Sequence, residues 1–282
     1  MDVETPNIKR AIVPAAGLGT RLRPLTHAIP KEMLPLGRKP VLEYVVEEMR
    51  VAGMTRLLFV VSPDKEEMIR RYFGDGAAWG VRCDYVLQPE MKGLGDAILR
   101  GETWTEGEPV LVAFGDTVIE SSDTLPTARL VETYRAWRAD AVVLTERVSR
   151  EKTSRYGILS PAVNLPDITT EPFPLKGVIE KPAPEAAPSL MAVSARWVLG
   201  PPVFCTLRET LPSPNGEVAL TDAVQTLLSR GGVGWAVPLL PGEARWDIGG
   251  WETYLVAATR AAMHDAEFGP RIRAAVCEGM KS

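Results

Sequence analysis

Residues 10–36 read RAIVPAAGLGTRLRPLTHAIPKEMLPL. The apolar run Ala11-Ile12-Val13 is short and β-rich, which predicts a buried strand over Lys9–Pro14. A turn of small residues follows at once, Ala15-Ala16-Gly17-Leu18-Gly19. A strand that runs directly into such a turn is how an open α/β sheet presents its backbone to a ligand beyond the strand's carboxyl end. Small side chains let backbone N–H groups approach phosphate oxygens closely, and Arg21 can then neutralise a polyphosphate. The turn lacks the GxxxxGK[ST] frame of a P-loop, and Leu22 stands where a dinucleotide fingerprint needs its third glycine. By itself it is equally a tight strand-to-helix connection.

The chain around it alternates in the same way. Pro40–Ala52 carries Val41, Leu42, Val45, Val46 and Met49 at helical spacing, with Gly53 placed to end the helix. Leu57–Val61, Val81–Leu87 and Pro109–Phe114 predict further buried strands. Asp64 with Glu67 predicts an N-cap pair opening a helix to Tyr72, and Gly95–Thr103 a short helix. Thr127–Arg138 predicts a helix and Ala141–Val148 a strand. Continuous apolar strands separated by helices predict a mostly parallel sheet covered on both faces. From Thr153 to Pro188 the chain turns Pro-rich, with short β-segments at Gly157–Leu159 and Lys176–Lys181, followed by Leu190–Val198. These extend the sheet and build one wall of a substrate site. Leu220–Ser229 predicts a helix and Trp235–Leu240 a strand. Trp251–Met263 and the segment after Phe268 predict a C-terminal helical appendage. Without a polar linker, residues 1–282 read as one domain.

With 32 basic and 36 acidic residues, the net charge of −4 argues against a general nucleic-acid binder. No apolar run reaches the ~18–20 residues that span a bilayer, and the polar start MDVETPNIKR does not read as a signal peptide. Cys83, Cys205 and Cys277 are far apart and form no CxxC pair, which suits a reducing cytoplasm. His27 and His264 are the only histidines, too few for a histidine-rich metal site. Lysine is scarce, 9 against 23 arginines, so Lys31 between Pro30 and Pro35 is a candidate phosphate ligand rather than a solubilising charge. Asp116 follows an apolar strand, and Asp247 precedes Gly249-Gly250. Each is also a common turn former. Trp246, Trp251 and the stripe Leu255, Ala258, Thr259, Met263 predict packing or subunit contact.

Residues 14–36 resemble the signature of the sugar-1-phosphate nucleotidylyltransferases, and the wording GLGTR…IPKEMLP is similar to the uridylyltransferase branch. The resemblance continues, in the family's order, at Gln88–Ala97 (QPEMKGLGDA), Gly115-Asp116, Tyr156–Ile158, Ile179–Pro182 (IEKP), Leu220–Ala223 (LTDA) and Asp247–Gly250. It implies a Rossmann-like fold of the nucleotide-diphospho-sugar transferase type. Residues 8–148 would serve mainly the nucleotide, 149–250 mainly the sugar phosphate, and 251–282 form C-terminal helices. The implied reaction is UTP plus glucose 1-phosphate giving UDP-glucose and pyrophosphate, with Mg²⁺ on Asp116 and Asp247. Arg21, Lys31, Asp116, Lys181 and Asp247 would be catalytic. Ala15, Ala16, Gly17, Gly19, Glu32, Gln88 and Gly93 would bind nucleotide, while Gly157, Glu180 and Lys181 would bind the sugar phosphate. The expected partners are UTP (or dTTP) and glucose 1-phosphate, with no nucleic acid or membrane, and a second copy of the chain in a homo-oligomer. Gly115 stands where the uridylyltransferase branch often has proline, and Gly250 where asparagine is common. Both bear on base and sugar, which keeps thymidylyltransferases and other sugar-nucleotide pyrophosphorylases open. A catalytically silent nucleotide-sugar sensor is the non-enzyme alternative, disfavoured by the retained aspartates and Lys181.

Overall fold

The apolar runs form strands and the amphipathic runs pack over them. A computed structural model describes residues 7–121 and 125–279; residues 1–6, 122–124 and 280–282 of the expected domain lie outside them. The first part runs β1 (Arg10–Pro14), β2 (Pro35–Leu36), β3 (Lys39–Pro40), α1 (Val41–Val51), β4 (Arg56–Val61), α2 (Pro63–Phe73) and β5 (Arg82–Leu87). It continues with α3 (Gly93–Leu99), α4 (Glu102–Thr105), β6 (Val110–Ala113), β7 (Thr117–Glu120), α5 (Pro126–Trp137) and β8 (Ala141–Arg147). The remainder is β9 (Gly157–Pro161), β10 (Phe173–Glu180), β11 (Met191–Leu199), α6 (Pro201–Glu209), α7 (Leu220–Ser229), β12 (Gly234–Pro238), β13 (Ala244–Asp247), α8 (Trp251–His264) and α9 (Gly269–Gly279).

Nine strands form one sheet in the order β5-β4-β1-β6-β11-β8-β12-β10-β9. β5, β4, β1 and β6 are parallel neighbours, as are β8 and β12. β11 is antiparallel to both β6 and β8, and β10 to both β12 and β9. Only β10 and β11 therefore run against the other seven. Strand alternation divides the core between two faces. Ala11 and Val13 pack with α1 and α5 residues such as Val45 and Leu130, while Ile12 packs with Ile98, Trp197 and Leu227 on the other face. A third apolar cluster joins Leu22, Leu34 and Val41 to Ile248, Tyr254 and Ala257, and so docks α8 against the segment that carries the Gly-rich turn.

One ion pair lies inside this core. The Arg196 guanidinium donates from Nη2 to Glu48 Oε2 at 2.7 Å and from Nε to Glu48 Oε1 at 3.0 Å. Its Nη2 also donates to the Thr117 carbonyl at 2.8 Å, so β11, α1 and the start of β7 meet at one side chain. Arg196 is fully buried, and the two-pronged geometry supplies the hydrogen bonds that a buried charge requires.

Three local expectations are corrected. α2 begins at Pro63, one residue before Asp64, and Ser62 stands at the N-cap in place of Asp64. The helix expected over Gly95–Thr103 is two pieces, α3 and α4, broken at Arg100-Gly101. The buried stripe of α8 is Tyr254 and Ala257, with Ala258 and Ala261 beside them; Leu255 is 54% exposed. α6 and two short ribbons, β2 with β3 and β7 with β13, escaped the sequence reading. Four-residue strands of intermediate burial carry little periodic signal.

Candidate active site

The Gly-rich turn leaves β1 at the carboxyl end of the sheet and is held from beneath. Lys65, on α2, donates to the carbonyls of Ala15 (3.3 Å) and Gly17 and to Glu32 Oε2 (2.9 Å). Thr26 Oγ1 donates to the Gly19 carbonyl at 2.9 Å. With its carbonyls drawn down, the turn faces a cavity of about 400 Å³ lined by Ala16, Gly17, Gly19, Lys31, Glu32, Gln88, Gly93 and Asp116. Ala15 is the exception among the expected nucleotide residues. Its N–H donates to the Val60 carbonyl at 2.8 Å, its own carbonyl takes Lys65, and it does not line the cavity. Glu32 is 1% exposed; burial pushes its carboxyl above the ordinary range, against the pull of Lys31 and Lys65.

Asp116 follows β6 beside that turn, where the Gly115 N–H donates to the Pro14 carbonyl at 3.1 Å. The Lys31 ammonium pairs directly with Asp116 Oδ2 and lies 3.9 Å from Glu32 Oε1. Burial alone would lower the Lys31 pKa, but Asp116, Glu32 and Asp247 together hold it above the ordinary value. Burial would likewise raise Asp116, yet Lys31 keeps its carboxyl below the usual carboxylate range. Asp247 arrives through the antiparallel β7–β13 ribbon, opposite Thr117, and the Ile248 N–H donates to the Asp116 carbonyl at 3.0 Å. A Cβ placed on Gly249 would lie 2.7 Å from Asp247 Oδ1 and 2.8 Å from Arg21 Nη2, which brings both side chains to the same glycine. Among the described residues no group of three or more His, Cys, Asp and Glu side chains gathers around a metal position. Two carboxylates from neighbouring strands still fit Mg²⁺, a hard cation that completes its shell with phosphate oxygens and water.

A second cavity, of about 540 Å³, adjoins the first and shares Leu94, Phe114, Asp116 and Glu217 with it. Arg21, Gly157, Glu180, Lys181 and Asp247 line it. Alternation along β10 would send Glu180 and Lys181 to opposite faces, but Lys181 adopts φ 45°, which ends the strand and turns both into the cavity. Left-handed backbone at a non-glycine residue costs about 1–3 kcal/mol and gathers at functional sites. Here the Lys181 N–H donates to the Tyr156 carbonyl at 3.0 Å, and its ammonium is 3.1 Å from Glu180 Oε1. Glu180 Oε2 accepts from Thr221 at 2.9 Å. A Cβ at Gly157 would sit 2.7 Å from Thr221 Cγ2, so it is the protein's own neighbour that requires glycine there.

Sequence reasoning missed Lys65 and Arg245. Lys65 has a readable signal, since Lys65, Ile69 and Phe73 share one helical face and all are buried. Arg245 lies over the Tyr156 ring, pairs with Glu146 and reaches within 3.9 Å of Asp247 Oδ2. Trp251 was expected in packing, yet it lines the second cavity at 40% exposure. Trp246 packs as expected, in the third apolar cluster. His27 is exposed at the end of a short 3-10 helix, Leu25–His27.

Comparison with known proteins gives a consistent result. The family model described as nucleotidyl transferase matches residues 10–263. A UTP–glucose-1-phosphate uridylyltransferase of Pseudomonas aeruginosa is 34% identical over 273 residues, 89% of this chain and 94% of that one. A crystal structure of UDP-glucose pyrophosphorylase complexed with UDP-glucose superposes with a TM-score of 0.81 at 34% identity, covering 90% of this chain and 98% of the other. A UTP-bound UGPase from Acinetobacter baumannii gives a TM-score of 0.82 at 26% identity, over 96% and 99% of the two chains.

Proposed function

The chain belongs to the nucleotidyl transferase family, and from that premise we propose that it transfers a uridylyl group from UTP to α-D-glucose 1-phosphate. A phosphate oxygen of the sugar phosphate attacks the α-phosphorus of UTP in line. The bond from that phosphorus to the bridging oxygen breaks, and pyrophosphate leaves with the electron pair. The nucleophile is ionised at neutral pH, so no general base is needed, and catalysis rests on positioning and charge neutralisation. The observation that carries the reading is the pair of adjoining cavities that share Asp116, one floored by the Gly-rich turn and one walled by Glu180 and Lys181.

In this reading the first cavity takes the nucleotide. Lys31 and Arg21 offset charge on the triphosphate and on departing pyrophosphate, and Gln88 meets the base. Lys181 grips the phosphate of the sugar, and Glu180, steadied by Thr221, accepts from sugar hydroxyls. Asp116 and Asp247 would hold Mg²⁺, which would supply further positive charge against the charge developed in the transfer. Among the described residues no helix is long and apolar enough to cross a membrane, and the three unpaired cysteines suit a reducing cytoplasm. The exposed Trp251, Leu255, Val256 and Phe268 on and beside the C-terminal helices would serve contact between copies of the chain.

The test is a panel of UTP, dTTP, CTP, ATP and GTP with glucose 1-phosphate, read by pyrophosphate release with and without Mg²⁺. UTP should give the highest kcat/KM, and chelation should abolish turnover. A dTTP value above that for UTP would move the chain to the thymidylyl branch. No pyrophosphate from any nucleotide would leave the sensor reading.

A further inference from the structure

Gln88 closes β5's end of the first cavity, and the residue is only 3% exposed. Its backbone N–H donates to the Val61 carbonyl at 2.8 Å, which fixes where the side chain starts. Both side-chain N–H groups are committed. Nε2 donates to the Gly93 carbonyl at 3.0 Å and to Asp96 Oδ2 at 2.7 Å. A carbonyl and a carboxylate are acceptors only, so this pair of neighbours decides which way round the amide lies. The reversed amide would press Oε1 against two other acceptors. Among the described residues no donor is paired with Oε1.

Asp96 is itself held. Arg100, four residues on along α3, donates from Nε to Asp96 Oδ2 at 3.0 Å and from Nη2 to Oδ1 at 3.4 Å. The same guanidinium reaches the Leu87 carbonyl at 3.4 Å, one residue before Gln88. The arrangement is a closed circuit from Arg100 through Asp96 to Gln88 and back to β5. The guanidinium's two donors fix the Asp96 carboxyl in place beside the amide.

We propose that Asp96 is a specificity-determining positioning residue. It holds the Gln88 amide so that the cavity offers a hydrogen-bond acceptor, and the site therefore takes a pyrimidine-2,4-dione and turns cytosine away. Uracil and thymine carry an N3–H that donates to Oε1; cytosine carries a lone pair at N3 that faces it. A site built to receive a substrate N–H discriminates strongly against an analogue without one, because its own polar atom is left unpaired. The proposal rests on the first cavity being the nucleotide site. It adds that base selection is set one residue behind the group that touches the base.

The test compares kcat/KM for UTP, dTTP and CTP in wild type, Asp96→Asn and Arg100→Met. Asparagine keeps the shape of Asp96 but offers a donor as readily as an acceptor, so it removes the bias on Gln88. The UTP:CTP ratio should fall at least ~10-fold in Asp96→Asn and by a smaller factor in Arg100→Met. The UTP:dTTP ratio should stay put, since the C5 methyl does not meet the amide. With wild type, N3-methyl-UTP should lose at least ~100-fold against UTP. Lower activity with an unchanged UTP:CTP ratio in both variants would make Asp96 merely structural and overturn the inference alone. Wild type that accepts neither UTP nor dTTP would overturn the functional reading with it. If Asp96→Asn does not fold, the ratio in Arg100→Met decides.

Discussion

The two cavities share Asp116 yet are built differently. In the first, the polar side chains are already committed: Lys31 to Asp116, Lys65 to Glu32 and the turn, Gln88 to Gly93 and Asp96. In the second, the Lys181 side chain is 55% exposed with its ammonium paired to its neighbour Glu180, and Arg21 makes no hydrogen bond or ion pair among the described residues. The first resembles a mould whose supports are set before a ligand enters. The second keeps two cations, Lys181 and Arg21, that a phosphate would gather. Preorganised groups act through orientation and solvent exclusion, whereas exposed charges act through long-range attraction that salt screens.

Changes on the mould side should be the most severe. Asp116→Asn should lower turnover by at least ~10²-fold, because it removes charge from the wall that both cavities share. Near-wild-type turnover at saturating Mg²⁺ would take Asp116 out of the chemistry. Lys65→Met comes next. It strips the buried Glu32 carboxylate of its closer cation and leaves Lys31 at 3.9 Å, a loss expected at about 3 kcal/mol in denaturant titration. The double variant with Glu32→Gln should recover much of that loss. No recovery would mean that Lys65 acts through the turn carbonyls and not through the ion pair.

The gathering side should respond in affinity. Lys181→Ala should raise the KM for glucose 1-phosphate by about 10- to 150-fold, the worth of a charged hydrogen bond, and move the KM for UTP far less. Added salt should weaken sugar-phosphate binding more than nucleotide binding. A rise confined to UTP would exchange the roles of the two cavities. The smallest expected effect lies in acid. The Asp116 carboxyl is held low, so its stabilising contribution is complete above its ordinary value of about pH 4. That contribution is lost as pH falls through the lower folded value. Wild type should therefore lose stability in acid more steeply than Asp116→Asn. Parallel acid limbs would remove the Lys31–Asp116 pair as a fixed feature of the first cavity.

The sequence showed the second cavity and the outline of the first more readily than it showed their supports. β1, α1, β4 and α7 were legible because apolar periodicity is a local signal. Lys181 and Glu180 were legible as a motif, but their convergence depends on φ 45° at Lys181, which alternation does not foretell. The supports are charged residues on apolar faces. Lys65 stands in register with Ile69 and Phe73, and Glu48 follows Val41 and Val45 along α1. Each reads as a surface charge until the helix face is drawn, and its partner comes from a distant segment. Glu32 is 33 residues from Lys65, and Arg196 is 148 residues from Glu48. Such pairings are set by sheet order, and β11 lying between β6 and β8 is not written in any local pattern.

That insertion bears on how the chain is made. On emerging from synthesis, residues 8–148 hold both β6 and β8 but not the strand that separates them. They also hold Glu48 but not Arg196, so the nascent segment carries a slot in its sheet and an anion without its counterion. Neither can be closed until residues 191–199 have been added. Residues 8–148 and the portion that follows are thus indivisible in assembly. A gene split between them would yield two fragments with bare strand edges, prone to pair with strangers before they found each other.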